Sequence, residues 1–403
     1  MNSNGKEKTY TSIRLNILTM GCVLLVVFLV SVFLGCVGLI MKMVQDGFVY
    51  TIKNTWQGLI IFIIIESILF WAGIIMVYAT SVQLGIKMRI IGIVCGWIPV
   101  VHIITLLMII KTAITEAGFE KHKLRINKDR SKDQVCKTKY PILMVHGVFF
   151  RDFKYFNYWG RIPGELEKNG ATIYYGDHQS AASVENSAKE LADRITQIVG
   201  STGCEKVNII AHSKGGLDIK TAVAKLGVAD KVASIITVNT PHRGCEFAEY
   251  LLNKAPVALK EKVASAYNTA LKKLGDPDPD FIAAVTDLTA SGCKRIWDDT
   301  SGFDYKANGI YTKSIGSCMK TAASGAFPLN MSYHLVKMYD GPNDGLVGEA
   351  SFIWGENYVF LENKGSRGIS HGDMIDLNRE NIPGFDVREF FVELVSDLKK
   401  RGL

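Results

Sequence analysis

Residues 208–216 read Asn-Ile-Ile-Ala-His-Ser-Lys-Gly-Gly. The apolar run that ends at Ile210 predicts a buried strand, and the stretch from Leu217 predicts a helix. Between them Ser213 stands in a tight turn, with the small residues Ala211 and Gly215 two positions away on either side. A strained strand-to-helix turn needs such flanks, because larger side chains would collide with the neighbouring strand and helix. The pattern predicts a serine hydroxyl held above a sheet edge, where it becomes a nucleophile only if a base takes its proton.

Three apolar segments precede this region, at about residues 16–41, 57–79 and 89–110. Each is long enough to cross a bilayer as a helix. The first is too long for a signal-peptide core and lacks an evident small-residue cleavage site, so we expect it to be retained. Glu66 and His102 reach similar depths if the second and third segments form an antiparallel hairpin. We interpret them as a helix–helix pair, with a proton or ion path as the alternative.

Charge and cysteine usage restrict the possible partners. The net charge of +7 is densest between Lys111 and Lys132, directly after the third segment. This position favours a juxtamembrane stretch that faces anionic lipid over a nucleic-acid surface. The eight cysteines show no CxxC spacing, which suggests neither a zinc site nor a disulfide framework. We therefore expect the bilayer as a partner, no nucleic acid, no protein partner and no cofactor for the chemistry.

The chain divides into a membrane region at 1–110, a basic linker at 111–139 and a globular domain at 140–403. In the globular domain strand and helix patterns alternate, which predicts an α/β fold with a mostly parallel sheet. A long, mostly helical insertion occupies about 245–300, and a last helix covers Val387–Arg401. The predicted strands are Ile142–His146, Thr172–Tyr175, Val207–Ala211, Val232–Val238, Ile310–Ile315, Leu335–Met338 and Tyr358–Leu361.

Candidate acids and bases follow the serine in the chain. Where a serine on such a turn is catalytic, an acid and then a histidine come after it. His371 lies in a Gly- and Ser-flanked loop just before the last helix. His242 comes too early in the chain, and His334 precedes both candidate acids. Asp340 and Asp344 both lie in a turn-rich stretch after the strand predicted at Leu335–Met338, and the residues alone leave both open.

An oxyanion produced by serine attack needs two backbone N–H donors. Lys214 would supply one from a helix N-terminus, where the helix dipole adds to its effect. The other should come from the loop after the first strand, where Gly147 allows close approach and Val148 would donate. Losing one such donor typically raises the barrier by about 3–4 kcal/mol. His146 in the same loop is interpreted as a residue that orders the loop.

Five motifs in this order resemble those of bacterial true lipases, the triacylglycerol lipase family of the α/β-hydrolase fold. The resemblance covers about Tyr140 to Leu403. It rests on His146-Gly147, Ala211-His212-Ser213-Lys214-Gly215-Gly216, Thr240-Pro241-His242-Arg243-Gly244, Asn343-Asp344-Gly345-Leu346-Val347 and His371-Gly372-Asp373.

The resemblance implies Ser213 as nucleophile, Asp344 as acid and His371 as base, with Val148 and Lys214 as oxyanion donors. It also implies that the insertion at 245–300 is a lid over an acyl pocket. Many relatives bind a structural calcium ion near the catalytic histidine, and Asp373 stands where one ligand would be, without a convincing upstream carboxylate partner. This chain departs from the family in Ala211, in a longer Asp344–His371 separation and in the three spans.

We therefore expect a membrane-anchored serine ester hydrolase, a lipase or esterase that cleaves lipid esters through an acyl-enzyme. Alternatives are an acyltransferase or thioesterase with the same triad, and a non-catalytic membrane scaffold. Three crossings would separate the N-terminus from the catalytic domain, with five basic residues on the first side and nine on the second. The positive-inside rule and the unpaired cysteines then favour a cytoplasmic catalytic domain, although the lipase relatives are usually exported.

Overall fold

Long apolar runs fold the first 129 residues into four helices in the computed structural model, which describes residues 3–148, 157–273, 275–325 and 329–403. The chain forms two compact units, Met1–Asp129 and Arg130–Leu403. The helices of the first unit are α1 (Ser3–Asp46), α2 (Phe48–Thr80), α3 (Gly85–Cys95) and α4 (Pro99–Asp129). Three of them, α1, α2 and α4, are long and apolar enough to cross a membrane.

The third apolar segment differs from the single helix expected at 89–110. A break at residues 96–98 divides it between α3 and α4. Pro99 lacks a backbone N–H and fits the first turn of a new helix, so the helix restarts there. Because α4 continues to Asp129, much of the basic linker predicted from residue 111 is helical.

A six-stranded, wholly parallel sheet forms the second unit, with the order β2-β1-β3-β4-β5-β6. The predicted α/β-hydrolase fold is confirmed. The chain order reverses between β1 and β3, and ligands of such sheets bind beyond the carboxyl ends of the strands at a reversal of this kind. The strands are β1 (Ile142–Val145), β2 (Ile173–Tyr175), β3 (Val207–His212), β4 (Val232–Val238), β5 (Tyr311–Ser317) and β6 (Asn357–Leu361).

Helices cover both faces of this sheet. Alternate residues of the central strands point to opposite faces, so Ile210 and Ile236 belong to one core cluster and Ile209 and Ile235 to another. The helices of this unit are α5 (Ile162–Lys168), α6 (Val184–Thr202), α7 (Lys214–Lys225), α8 (Glu246–Lys254), α9 (Val257–Lys273), α10 (Phe281–Thr286), α11 (Ala290–Thr300), α12 (Leu329–Asp340) and α13 (Val387–Lys400).

The strand predicted at Leu335–Met338 was wrong, because these residues belong to α12. Tyr333 and Val336 are the buried residues of this helix, and their spacing of three is helical. A run of four residues with three apolar side chains cannot by itself distinguish a strand from part of a helix. Asp344 therefore follows a helix.

Candidate active site

Ser213 occupies the strained turn between β3 and α7. Its backbone has φ 56° and ψ −131°, a left-handed conformation that is unusual for a residue with a side chain. The small neighbours make this turn possible: a methyl group added to Gly215 would lie 2.4 Å from the carbonyl oxygen of His146. One added to Gly147 would lie 2.7 Å from the Cβ of Ser213. The loop after β1 therefore comes into direct contact with the serine.

His371 and Asp344 form a buried pair. The Nδ1 atom of His371 lies 2.6 Å from Oδ2 of Asp344, and the backbone N–H of His371 donates to the Asp344 carbonyl at 2.9 Å. The other carboxylate oxygen, Oδ1, accepts the backbone N–H groups of Leu346 and Val347 at 2.9 Å each. Since an ionised carboxylate only accepts hydrogen bonds, the Nδ1 atom of His371 carries a proton, and its Nε2 atom is available as a base.

Ser213 and His371 line the same cavity, which has a volume of about 650 Å³. The ring of His371 also lies 4.4 Å from the ring of His212, the residue that precedes the serine. Within the part of the chain that the structure describes, the Ser213 hydroxyl makes no hydrogen bond to His371. Such bonds are often long without substrate and shorten when it binds.

The two candidate oxyanion donors, Val148 and Lys214, lie in the loop after β1 and at the start of α7. Val148 lines the cavity beside Ser213, and Lys214 is the first residue of α7. At a helix N-terminus the first N–H groups have no partner within the helix, so the Lys214 N–H is suited to meet a negative charge. The rest of the expected donor loop, residues 149–151, lies outside the described residues.

The side chain of Lys214 has a separate, structural environment. Its ammonium group is buried and donates to Asp218 at 2.6 Å and to the hydroxyl of Ser187 at 3.0 Å. His178 approaches the other oxygen of Asp218 at 3.8 Å and stacks on His146 with ring centroids 3.9 Å apart. His146 in turn lies 2.8 Å from the carbonyl of Gly147 through Nδ1, in keeping with a residue that orders its loop.

Tyr158 and His212 connect the serine turn to the histidine loop, and sequence reasoning did not identify them as site residues. The Nε2 atom of His212 lies 3.2 Å from the His371 carbonyl oxygen, and its Nδ1 atom lies 2.7 Å from the Tyr158 hydroxyl. Burial, followed by the nearby His371, lowers the pKa of His212. The ring is therefore neutral, so Nε2–H donates to the carbonyl and Nδ1 accepts the Tyr158 hydroxyl.

Replacing Tyr158 with phenylalanine is expected to lower kcat about tenfold, because a lost buried hydrogen bond of about 1.4 kcal/mol would leave the His371 loop less well positioned. KM should change little, and the melting temperature should fall by only a few degrees. The matched control is Tyr140→Phe, whose hydroxyl makes an exposed 3.3 Å contact with Glu205. Equal kcat values for the two variants would show that the Tyr158–His212 contact does not position His371.

Asn239 is a third residue that the sequence did not reveal. It follows β4 with φ 48°, is fully buried and donates from Nδ2 to Oδ2 of Asp344 at 2.6 Å. Asparagine is one of the few non-glycine residues that adopt this backbone conformation readily. A polar residue of this type directly after a buried strand was the available signal.

Asp340 and His242, the competing acid and base, have other partners. Asp340 accepts the backbone N–H groups of Glu246 and Phe247, at 2.9 and 3.1 Å, so it caps the start of α8. His242 is buried against Trp354 and lies 3.0 Å from Thr237. His334, on α12, does not line the cavity.

Asp373 is held by protein donors. One carboxylate oxygen accepts from Arg367 at 3.1 Å, and the other accepts the N–H and the hydroxyl of Ser370 at 2.7 Å each. Arg367 also donates to Glu380 at 2.9 Å. A guanidinium group thus stands between two carboxylates, and these residues do not fit a calcium ion at Asp373. In the described ranges no group of three or more His, Cys, Asp or Glu side chains could hold a metal.

Comparisons with known proteins identify the family to which the chain is similar. The family model described as "Putative serine esterase (DUF676)" matches residues 174–276. A triacylglycerol lipase of Pseudarthrobacter phenanthrenivorans is 31% identical over 223 residues, which are 52% of this chain and 66% of that protein. The chain therefore spans just under two thirds of that relative. Triacylglycerol lipase 2 of Saccharomyces cerevisiae is 30% identical over 287 residues, covering 62% of this chain and 77% of the relative.

The crystal structure of Staphylococcus hyicus lipase aligns with 66% of this chain and 97% of its own, at a TM-score of 0.51 and 19% identity. The parallel sheet and the strained serine turn define an α/β hydrolase. Within that class, the chain belongs to the triacylglycerol lipase family.

Proposed function

We propose that this protein is a membrane-anchored serine ester hydrolase that cleaves carboxylic esters of lipids. The observation that carries the proposal is the 2.6 Å pair of His371 and Asp344, in which His371 lines the same apolar cavity as Ser213. A serine on a strained turn needs a base, and a base needs a group that fixes its tautomer. The relatives named triacylglycerol lipases support a lipid ester as the substrate class.

In the proposed reaction, Nε2 of His371 takes the proton of the Ser213 hydroxyl as Oγ attacks the ester carbonyl carbon. The backbone N–H groups of Val148 and Lys214 stabilise the oxyanion of the tetrahedral intermediate. The intermediate collapses when the protonated His371 gives its proton to the leaving alcohol, which leaves an acyl group on Ser213. His371 then deprotonates a water molecule that attacks the acyl-enzyme, and the carboxylic acid is released.

The substrate class follows from the cavity as well as from the relatives. Its lining is mostly apolar, and a large share of it comes from α8, α9 and α10, which are helices of the insertion. Burying one methylene group contributes about 0.8 kcal/mol, so a cavity of this kind favours long acyl chains over short ones. The apolar lining residues of these three helices are Phe247, Ala248, Leu251, Leu252, Leu259, Val263, Tyr267, Phe281, Ile282 and Val285.

The insertion would act as a lid over this cavity. Some of its large apolar residues face the cavity, while others, such as Val257, are more than half exposed. A helix with apolar residues on both its inner and outer surfaces can exchange contacts with the sheet for contacts with a lipid surface. The lid would move aside when the protein meets aggregated substrate.

The chemistry is tested with a fluorophosphonate probe on membranes that contain the full-length protein, with Ser213→Ala as the comparison. We expect labelling that requires Ser213 and hydrolysis of 4-nitrophenyl esters with a preference for long chains. No Ser213-dependent labelling would favour a non-catalytic scaffold. Labelling without hydrolysis of any ester would favour acyl transfer.

Filling the cavity tests the acyl site separately. Val285→Trp is expected to lower kcat/KM for a 16-carbon ester at least tenfold relative to a 4-carbon ester, because the added ring displaces several buried methylene groups. Ile353→Trp adds the same ring at a partly exposed position outside both the lid and the cavity, and should leave this ratio within about twofold of the parent. An unchanged ratio in both variants would place the acyl chain elsewhere.

A further inference from the structure

The short helix α3 and the first part of α4 form a hairpin that enters the membrane unit and returns. The 11 residues of α3 span about 16 Å at 1.5 Å per residue, roughly half of a hydrocarbon core of about 30 Å. The two arms pack side by side, because a methyl group on Gly92 of α3 would lie 2.9 Å from the side chain of Ile109 of α4. Near the turn, one on Gly96 would lie 3.7 Å from His102. The arms are therefore antiparallel.

Glu116 of α4 shows at which end of the unit the hairpin begins and finishes. Its buried carboxylate accepts from Arg14 of α1 at 2.8 Å and from the hydroxyl of Ser81, at the end of α2, at 2.6 Å. It also accepts the backbone N–H groups of Val82 and Gln83, which lead into α3, at 3.0 and 3.1 Å. The start of α3 and the distal part of α4 thus meet at one level of the helix bundle. We call this level the Glu116 end.

The helices α1 and α2 run between the Glu116 end and an opposite end. Their antiparallel pairing brings Gly21 next to Met76 and, further along, Gly35 next to Phe62. At the opposite end, the Thr51 hydroxyl lies 3.2 Å from the Lys42 carbonyl oxygen. The α1–α2 pair therefore accounts for one outward and one returning crossing.

We propose that α3 and α4 are a re-entrant hairpin inserted from the Glu116 end, so that the chain crosses the bilayer an even number of times. The N-terminal end of α1 and the catalytic unit, which continues directly from α4, then share one side of the membrane. The helix α4 is long enough to cross the membrane. It starts, however, at the tip of the hairpin, and no loop on the opposite side of the membrane leads into it.

The charge distribution identifies this side. Within residues 1–129, ten of the twelve Lys and Arg residues are on the segments at the Glu116 end, and only Lys42 and Lys53 are at the other. The three-crossing arrangement expected from the sequence would divide these basic residues far more evenly between the two sides of the membrane. Positive residues concentrate on the cytoplasmic side of membrane proteins, so the catalytic unit is assigned to the cytoplasmic face.

The surface of the hairpin tip fits the acyl chains of that leaflet. Trp97 is 88% exposed in the helix bundle, and its neighbours Ile93, Val94 and Ile98 are each more than half exposed. These side chains carry no charge, and a soluble surface rarely presents such a cluster. The lipid interior is therefore the occupant that covers them.

Epitope tags on the full-length chain decide the number of crossings. One tag is placed before residue 1, one after residue 403 and one at Gly47, which joins α1 to α2. In spheroplasts of a bacterial host treated with protease, we expect the two terminal tags to be protected and the Gly47 tag to be cut. Cleavage of only one terminal tag would restore an odd number of crossings and overturn the proposal. Cleavage of both terminal tags with protection at Gly47 would overturn the cytoplasmic assignment.

The depth of the hairpin tip in the membrane is tested with a cysteine placed at that tip. In sealed vesicles of either orientation, a Trp97→Cys variant should gain no labelling by a membrane-impermeant maleimide above the parent chain, and should be labelled once detergent is added. A Gly47→Cys variant is the positive control, expected to be labelled from the outer side only. Labelling of Trp97→Cys from the outer side would mean that the hairpin crosses completely, and the re-entrant assignment would be wrong. Neither readout depends on enzymatic activity.

Discussion

Replacing Asp344 with asparagine is expected to lower kcat about 10⁴-fold while the protein remains folded. The two backbone N–H groups of Leu346 and Val347 point at Oδ1 of residue 344, so the amide oxygen of an asparagine would be held there. Its NH₂ group would then face His371 and also Asn239, whose amide donates to Oδ2 in the parent and would have to turn over to present its oxygen. Nδ1 of His371 would have to accept this hydrogen bond, which puts the ring proton on Nε2, where the Ser213 proton has to go. Initial rates on a soluble ester measure the loss.

Asp340→Asn is the matched control for this prediction. Asparagine can accept only one of the two backbone N–H groups that Asp340 accepts, so the start of α8 should lose about 1 kcal/mol of stability. Because neither bond involves the cavity residues, kcat should stay within about threefold of the parent. A large loss with Asp340→Asn and a small one with Asp344→Asn would reverse the assignment of the acid. A circular dichroism spectrum matching that of the parent excludes unfolding as the cause in either variant.

The serine turn and the parallel sheet could be predicted because their signals are local. Small residues flank Ser213 within two positions, and each central strand is a continuous apolar run bounded by turn residues. The prediction of a strand at Leu335–Met338 was wrong because a short apolar run fits both the two-residue period of a strand and the 3.6-residue period of a helix. Only the packing of Tyr333 and Val336 shows that the segment is helical.

Contacts between distant parts of the chain could not be predicted in this way. Asn239 reaches Asp344 across 105 positions, and Tyr158 reaches His212 across 54. No periodicity or motif connects such pairs, since the sheet topology brings them together. The same holds for the apolar segment at 89–110, where composition indicates a span but the pairing of Gly92 with Ile109 folds it back.

The second large effect concerns the stability of the catalytic unit and the ammonium group of Lys214. Substitution by methionine is expected to destabilise the fold by about 3–5 kcal/mol, because the buried carboxylate of Asp218 would lose its charged partner. The backbone N–H of residue 214 stays at the start of α7. The kcat of the folded variant should therefore stay close to that of the parent, although its free energy of unfolding falls. Chemical denaturation of the detergent-solubilised protein, with activity measured on the folded fraction, separates the two quantities.

The pH dependence of that loss follows from Asp218. Burial raises its pKa to about 7, although the Lys214 ammonium lowers it. Without the ammonium the pKa rises further, so the folded variant binds a proton that the unfolded chain, with an ordinary value near 3.8, has lost. The parent and Lys214→Met should therefore both lose stability as the pH rises from about 4 to 7, since the unfolded state binds fewer protons over that range. Above pH 7 the carboxyl group stays protonated only in the folded variant, so the stability difference between variant and parent should grow there. Adding Asp218→Leu removes the unpaired carboxylate and should recover most of the loss at pH 8. If the double variant is no more stable than Lys214→Met, lost packing and not the buried charge causes the destabilisation.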